Sequence, residues 1–271
     1  MKKYLYIATI ALLLVAFGVS AFMVGSYLLE SKQQEEKFDQ LAQMVGATES
    51  SAAEQTDPSS ADPEQTLPGE TTAPTEDPTK GMYDALYEMN SDIVGWIQIH
   101  GTELNYPVMQ TEIGNENFYL ERDFEGNVSK HGCIYADEEC DVNKPSDNIT
   151  MYGHNMKDGS MFAALNAYVE KSAWEYNPTI SFNTLTEIHD YKIFAVFRTT
   201  ATLGKGFNYH QFIDAANEEE FNEFVATCKQ LAYYETGETP VYGDKLICLS
   251  TCEYTHPDQN GRLVVAAYRI T

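Results

Sequence analysis

From Tyr4 to Leu29 the chain runs for 26 residues without a charged side chain. As a helix rising 1.5 Å per residue, such a run reaches about 39 Å, more than the roughly 30 Å of a bilayer's hydrocarbon core. Lys2 and Lys3 precede it. The bias of basic residues toward the cytoplasmic side therefore places the N terminus inside and everything after Glu30 outside, as a single-pass membrane protein. The competing reading is a cleaved signal peptide with Val19-Ser20-Ala21 as its small-residue processing site. The apolar run continues well past Ala21, and both readings export the same remainder.

That remainder divides by composition. Ser31 to Val45 is mixed in charge and extends the helix only briefly. Residues 46–80 hold Pro58, Pro63, Pro68, Pro74 and Pro78, half of the chain's ten prolines, with eight acidic residues, one base (Lys80) and no aromatic. Such a stretch buries too little apolar surface to offset its ordering entropy. The expected layout is a cytoplasmic stub and signal anchor over residues 1–30, an extracellular acidic, Pro/Thr-rich linker over 31–80, disordered in its proline-rich part, and one folded domain over 81–271. At about 190 residues that domain is large enough to bury a core without staples. It holds 12 Lys and Arg against 29 Asp and Glu, which excludes a nucleic-acid partner because phosphate binding needs basic surface.

Within the domain, apolar or alternating runs recur at Ile93–Ile99, Leu104–Val108, Gly132–Tyr135, Ile149–Tyr152, Thr179–Phe182, Tyr191–Thr199, Leu246–Thr251 and Leu263–Ile270. Gly, Asn, Asp and Pro punctuate the gaps between them. Helical spacing appears at Met82–Met89, Ser160–Val169 and Asn217–Tyr233, the last with Phe221, Phe224, Val225, Cys228 and Leu231 on one face. Eight strands with few helices predict a mainly β fold, a closed or nearly closed eight-stranded barrel with peripheral helices.

The chemistry concentrates at one strand end. Leu246-Ile247-Cys248-Leu249-Ser250-Thr251 terminates at Cys252, and Arg262 stands ten residues later at the head of Leu263-Val264-Val265-Ala266-Ala267. If these strands pair as neighbours, the thiol faces the guanidinium, which favours the nucleophilic thiolate. His154 follows the apolar run Ile149–Tyr152 and Gly153, and completes a thiol, imidazole and guanidinium set. His256 is the rival imidazole, in a turn-rich stretch four residues past Cys252. The five cysteines are Cys133, Cys140, Cys228, Cys248 and Cys252; an odd count leaves at least one thiol free even outside the cell. Cys248 and Cys252 share a strand face about 13 Å apart, too far to bridge, while a Cys133–Cys140 pair stays open. Cys228 and Cys248 read as buried core residues. Cys248, Cys252, His154 and His256 lack the paired spacings of zinc sites, and Asp137-Glu138-Glu139-Asp141 reads as a solvated loop rather than a calcium site. No metal and no cofactor are expected.

These residues resemble the sortases, membrane-anchored cysteine transpeptidases of Gram-positive surfaces, and class B in particular. The family's Thr-Leu-x-Thr-Cys strand end, with an arginine shortly after, is similar to Cys248-Leu249-Ser250-Thr251-Cys252 and Arg262; a cysteine replaces the leading threonine. Tyr152-Gly153-His154-Asn155-Met156 followed by Met161-Phe162, Asn90-Ser91-Asp92-Ile93-Val94-Gly95-Trp96-Ile97, Asn105-Tyr106-Pro107-Val108 and Tyr119-Leu120 resemble class B as well, in family order over most of residues 81–271. The resemblance implies an eight-stranded sortase barrel with a helix before the penultimate strand. It implies Cys252 as nucleophile, His154 as general acid and base and Arg262 at the oxyanion, with Leu120, Ser250, Thr251 and Glu253 as substrate-groove residues.

Implied with it are substrates bearing an Asn-Pro-x-Thr-Asn or Pro-x-Thr-Gly sorting motif, cut after threonine through a thioester. The acyl group then passes to a peptidoglycan-precursor amine or, in pilus assembly, to a pilin lysine. From another class of function stands an inactive, membrane-tethered binding or scaffold protein. Lys130-His131-Gly132-Cys133-Ile134 is similar to the His-Gly-Cys run of L,D-transpeptidases. Tyr135, however, stands where that family carries arginine or asparagine, and His100-Gly101 lies farther upstream than its His-Gly pair.

Overall fold

All eight apolar runs become strands. In the computed structural model, which describes residues 2–46, 81–202, 204–254 and 260–271, they are β1 (Ile93–Gln98), β2 (Asn105–Met109), β3 (Ile134–Ala136), β4 (Asn148–Tyr152), β5 (Thr179–Thr184), β6 (Asp190–Thr200), β7 (Leu246–Glu253) and β8 (Gly261–Arg269). They close into a barrel in the order β1-β2-β3-β4-β7-β8-β6-β5. The β2/β3 and β4/β7 pairs are parallel and the rest antiparallel. Closure removes the sheet edges that an open β sheet would otherwise expose. At the β1–β5 seam Gly95 is obligatory, since a Cβ there would lie 2.3 Å from the Asn183 carbonyl oxygen.

The strands β7 and β8 are nearly continuous in apolar residues because both of their faces are covered. Ile247, Leu249, Leu263, Val265 and Ala267 fill the barrel interior. Leu246, Cys248, Val264 and Ala266 point outward beneath a helix, α4 (Glu218–Leu231), which presents Phe221, Phe224, Val225 and Cys228 at helical spacing. The Asn217 side chain caps this helix by accepting from the Glu220 N–H at 3.0 Å. Two shorter helices are α2 (Asp84–Met89) and α3 (Lys171–Tyr176). Residues Phe162–Val169, expected to be helical, form a 3₁₀ helix, and α3 directly behind it escaped the sequence pattern. The Trp174 indole of α3 donates to the Ile193 carbonyl at 3.1 Å, a tertiary contact that a six-residue segment's own periodicity does not announce.

The N-terminal helix α1 spans Lys2–Met44. It runs through residues 31–44, expected to belong to the linker with only a brief helical extension. Gln34, Phe38, Leu41, Ala42 and Val45 form a stripe at helical spacing buried against the barrel, whereas the apolar side chains described before Leu29 lie outside any core. Lys37 pairs with Asp123 at 2.9 Å and Glu125 at 3.0 Å. The proline-rich stretch 47–80 and His256 lie outside the described residues.

Candidate active site

The strands β7 and β8 do pair as neighbours, and their register sets Cys252 directly opposite Arg262. Both residues lie on the outward face that α4 covers lower down, at the end where that cover stops. Together with His154 they line a groove of about 530 Å³. Of the five cysteines only Cys252 is not buried, and all five are free thiols. Burial pushes the thiols of Cys133, Cys140, Cys228 and Cys248 upward, Cys140 to about 12. Cys133 of the His-Gly-Cys run is itself buried, away from any substrate's reach.

His154 leaves the end of β4 in a loop held from three sides. The parallel β4–β7 register places Tyr152 beside Ser250, the Gly153 N–H donates to the Ser250 carbonyl at 3.2 Å, and the Thr251 hydroxyl donates to the Gly153 carbonyl at 2.7 Å. Gly153 is needed here for close approach: a Cβ would fall 2.4 Å from the Ile134 Cδ1 and 2.8 Å from the Phe162 ring. The Asn155 amide donates to the carbonyl of Cys252 itself at 2.9 Å, so one side chain ties the histidine loop to the nucleophile's backbone. His154 Nε2 lies 2.7 Å from the Leu120 carbonyl oxygen. A carbonyl only accepts, so Nε2 carries a proton and Nδ1 is the nitrogen left for proton transfer.

Leu120, Ser250 and Thr251 line the groove. The Ser250 hydroxyl is buried and meets the Tyr209 hydroxyl at 2.5 Å. Glu253 is not brought to the groove. It follows Cys252 on a strand and therefore points to the opposite face, where its carboxylate lies 3.2 Å from Arg198 Nε. The groove has other walls that the motifs did not single out: Tyr135, Tyr152, Tyr209, His210, and an acidic side of Glu116, Asp137, Glu138 and Glu139. Burial raises the hydroxyls of Tyr135, Tyr152 and Tyr209, the last to about 12, while the Arg262 charge pulls Tyr135 and Tyr209 the other way. Tyr135 and Tyr209 thus stand near the guanidinium as hydroxyls, while Tyr152 donates to Asp137. Signals for them existed only in part: Tyr152 sits inside the histidine motif, but Tyr209 and His210 come from a segment without strand or helix periodicity.

The sortase domain profile matches residues 97–270. Sortase B of Staphylococcus aureus is 27% identical over 267 residues, 98% of this chain and 97% of that protein. Sortase B of Listeria monocytogenes is 32% identical over 187 residues, 69% of this chain and 73% of that one. A solved Staphylococcus aureus sortase B–substrate complex superposes with a TM-score of 0.71 at 26% identity, covering 90% of this chain and 99% of that one. The barrel and its groove thus define a cysteine transpeptidase. The chain belongs to the sortase family, with class B sortases as its relatives.

Proposed function

We propose that Cys252, His154 and Arg262 carry out sortase acyl transfer in two half-reactions. The Cys252 thiolate attacks the threonine carbonyl of an Asn-Pro-x-Thr-Asn or Pro-x-Thr-Gly sorting motif on a surface protein. Arg262 faces the oxygen on which negative charge develops, and His154 protonates the departing amine. An amine then attacks the thioester, its proton passing to His154, and the surface protein is joined to a cell-wall precursor. The acidic side of the groove, Glu116 and Asp137 to Glu139, favours the approach of a cationic acceptor. The Tyr152 hydroxyl, which donates to the Asp137 carboxylate at 2.8 Å, braces that side. In this reading Leu120, Ser250 and Thr251 contact the motif, and Glu253 braces the strand end from the other face. The helix α1 anchors the enzyme with its N terminus in the cytoplasm, residues 31–80 connect the anchor to the barrel, and residues 81–271 work outside the membrane.

One observation carries this reading. The single cysteine that is not buried sits opposite an arginine, in a groove that also holds the histidine. The test is a panel of fluorogenic sorting peptides given to the full chain in detergent, alone and with glycyl peptides, cross-bridge peptides or lysine peptides as acceptors. Cleavage after threonine, lost in Cys252→Ala and His154→Ala, is expected. Joining of glycyl or cross-bridge amines marks wall anchoring, whereas selective joining of lysine peptides marks pilin polymerisation. Cleavage indifferent to Cys252→Ala would refute the mechanism.

A further inference from the structure

The helix that carries the apolar anchor also grips the loop that carries His154. That loop closes on itself through an Asn155–Met161 bridge and a 2.9 Å bond from the Phe162 N–H to the His154 carbonyl. At its base, fully buried Met161 has a φ of 57°, the only positive value at a non-glycine among the described residues. Such a conformation persists only where its surroundings over-determine it. The Met161 N–H donates to the Tyr106 hydroxyl at 3.1 Å, and the Tyr106 ring meets Phe38 of α1 edge to face, 5.1 Å between centroids.

At the loop's tip, Asp158 accepts from the Ser31 hydroxyl of α1 at 2.7 Å, from the Ser160 hydroxyl at 2.6 Å, and pairs with His131 Nε2 at 3.0 Å. Burial would raise the Asp158 carboxyl, but these bonds outweigh it and hold it well below the ordinary carboxylate range. The acceptor of His154 rests on the same support. His131 leads into Gly132, where a Cβ would lie 2.4 Å from the Leu120 carbonyl oxygen. Next to it the Cys133 N–H donates to the Tyr119 carbonyl at 2.9 Å.

We propose that the docked segment Ser31–Val45 is part of the catalytic scaffold, with Phe38, Tyr106 and Asp158 as positioning residues that hold the His154 loop in register with Cys252. This rests on the reading of His154 as the proton-transfer group. The anchor helix thereby makes turnover depend on the barrel being seated against its own membrane stem. None of the three positioning residues lines the substrate groove, so loosening them lowers kcat and leaves KM in place. A displacement of the imidazole by about 1 Å suffices for a loss on the order of tenfold to a hundredfold.

The experiment uses the full chain in detergent micelles. Tyr106→Phe removes one oxygen and keeps the ring on Phe38; Phe38→Ala and Asp158→Asn loosen the base and the tip; Phe38→Leu is the conservative rescue; Glu36→Gln, on the exposed side of α1, is the control. Three quantities are read: kcat and KM on the best-cleaved sorting peptide, the melting temperature, and the His154 ring Cε1–H NMR signal, assigned with His154→Gln. Expected are kcat values down about tenfold or more with KM within about twofold, a moved or broadened His154 signal, recovery in Phe38→Leu and no change in Glu36→Gln. A His154 signal unmoved in both Tyr106→Phe and Phe38→Ala overturns the proposal, even if stability falls. Should Phe38→Ala fail to fold, Ser31→Ala, which removes the α1 bond to Asp158, takes its place beside Tyr106→Phe. If the parent chain cleaves no peptide, the proposed function has failed, and the NMR comparison still decides whether α1 positions His154.

Discussion

Cys248 and Cys252 lie four residues apart on one strand and point to the same outward face, yet they live in different media. Over Cys248 the face is sealed by α4, whose Phe224, Val225 and Cys228 complete a dry layer; the thiol is fully buried and held protonated by desolvation. Over Cys252 the cover has ended, the groove begins, and the partner across the ladder is Arg262 instead of Ala266. Two chemically identical groups at equivalent positions thus become a core atom and a candidate nucleophile. What separates them is where one amphipathic helix stops.

The sharpest break of this comparison comes from deleting each thiol. Cys252→Ala should lower peptide cleavage by at least about 10³-fold while leaving the melting temperature nearly unchanged, since the side chain is only half-buried and removes no core volume. Alkylation should separate the two thiols almost as widely. A thiol pushed up to about 12, as Cys140 is, is ionised to only about one part in 10⁴ at pH 8. Mass spectrometry of the native protein at pH 8 should therefore find Cys252 alone modified by iodoacetamide, and all five cysteines modified after unfolding.

Arg262→Lys keeps the charge and loses the planar fork, and should cost about 10²-fold in kcat. Wild-type rates in that variant would mean that the guanidinium serves only the strand end. The smallest effect on activity belongs to Cys248→Ser. It places a hydroxyl in the dry layer and should cost about 1–3 kcal/mol in chemical denaturation, with unchanged kcat per folded molecule. If this variant lost activity while still folded, the two halves of the face would not be independent.

A second contrast, between the two ends of the docked stretch of α1, sets a pH expectation. Asp123 is buried, which raises its carboxyl, but Lys37 and the Asn127 N–H lower it further, for a net depression; Asp158 is depressed as well. A depressed carboxyl stabilises the folded form above its unfolded value and loses that contribution as the pH falls through the folded one. Docking of α1 on the barrel should accordingly weaken below the ordinary carboxylate range, near pH 4 and under. Hydrogen exchange of residues 31–45 would register the change. Protection unchanged from about pH 5 down to about pH 3 would show that the two carboxylates add little to the apolar stripe of Phe38, Leu41 and Ala42.

Strand positions were legible because each carries its own signal: short apolar runs with turn formers between them, and one thiol–arginine spacing that makes sense only if β7 and β8 pair. Glu253 shows the limit of motif reasoning. A residue adjacent to the nucleophile lies, by the alternation of a strand, on the other face, and Arg198 claims it there. His210, which no motif marks in the sequence, is carried to the groove by a connection whose own pattern is silent. The stripe Gln34, Phe38, Leu41, Ala42 and Val45 is readable at helical spacing, but its partner was not, and residues 31–45 looked like the head of a tether.

Local chemistry by itself determined the apolar span, the eight strands and the amphipathic α4, because each depends on residues near one another in the chain, and it singled out Cys252, His154 and Arg262 as candidates. Only tertiary structure decided which thiol is exposed, which nitrogen of His154 is held, which acids face the groove and what α1 leans on. Those depend on which distant surfaces exclude water from which side chains, and no stretch of sequence contains its own cover.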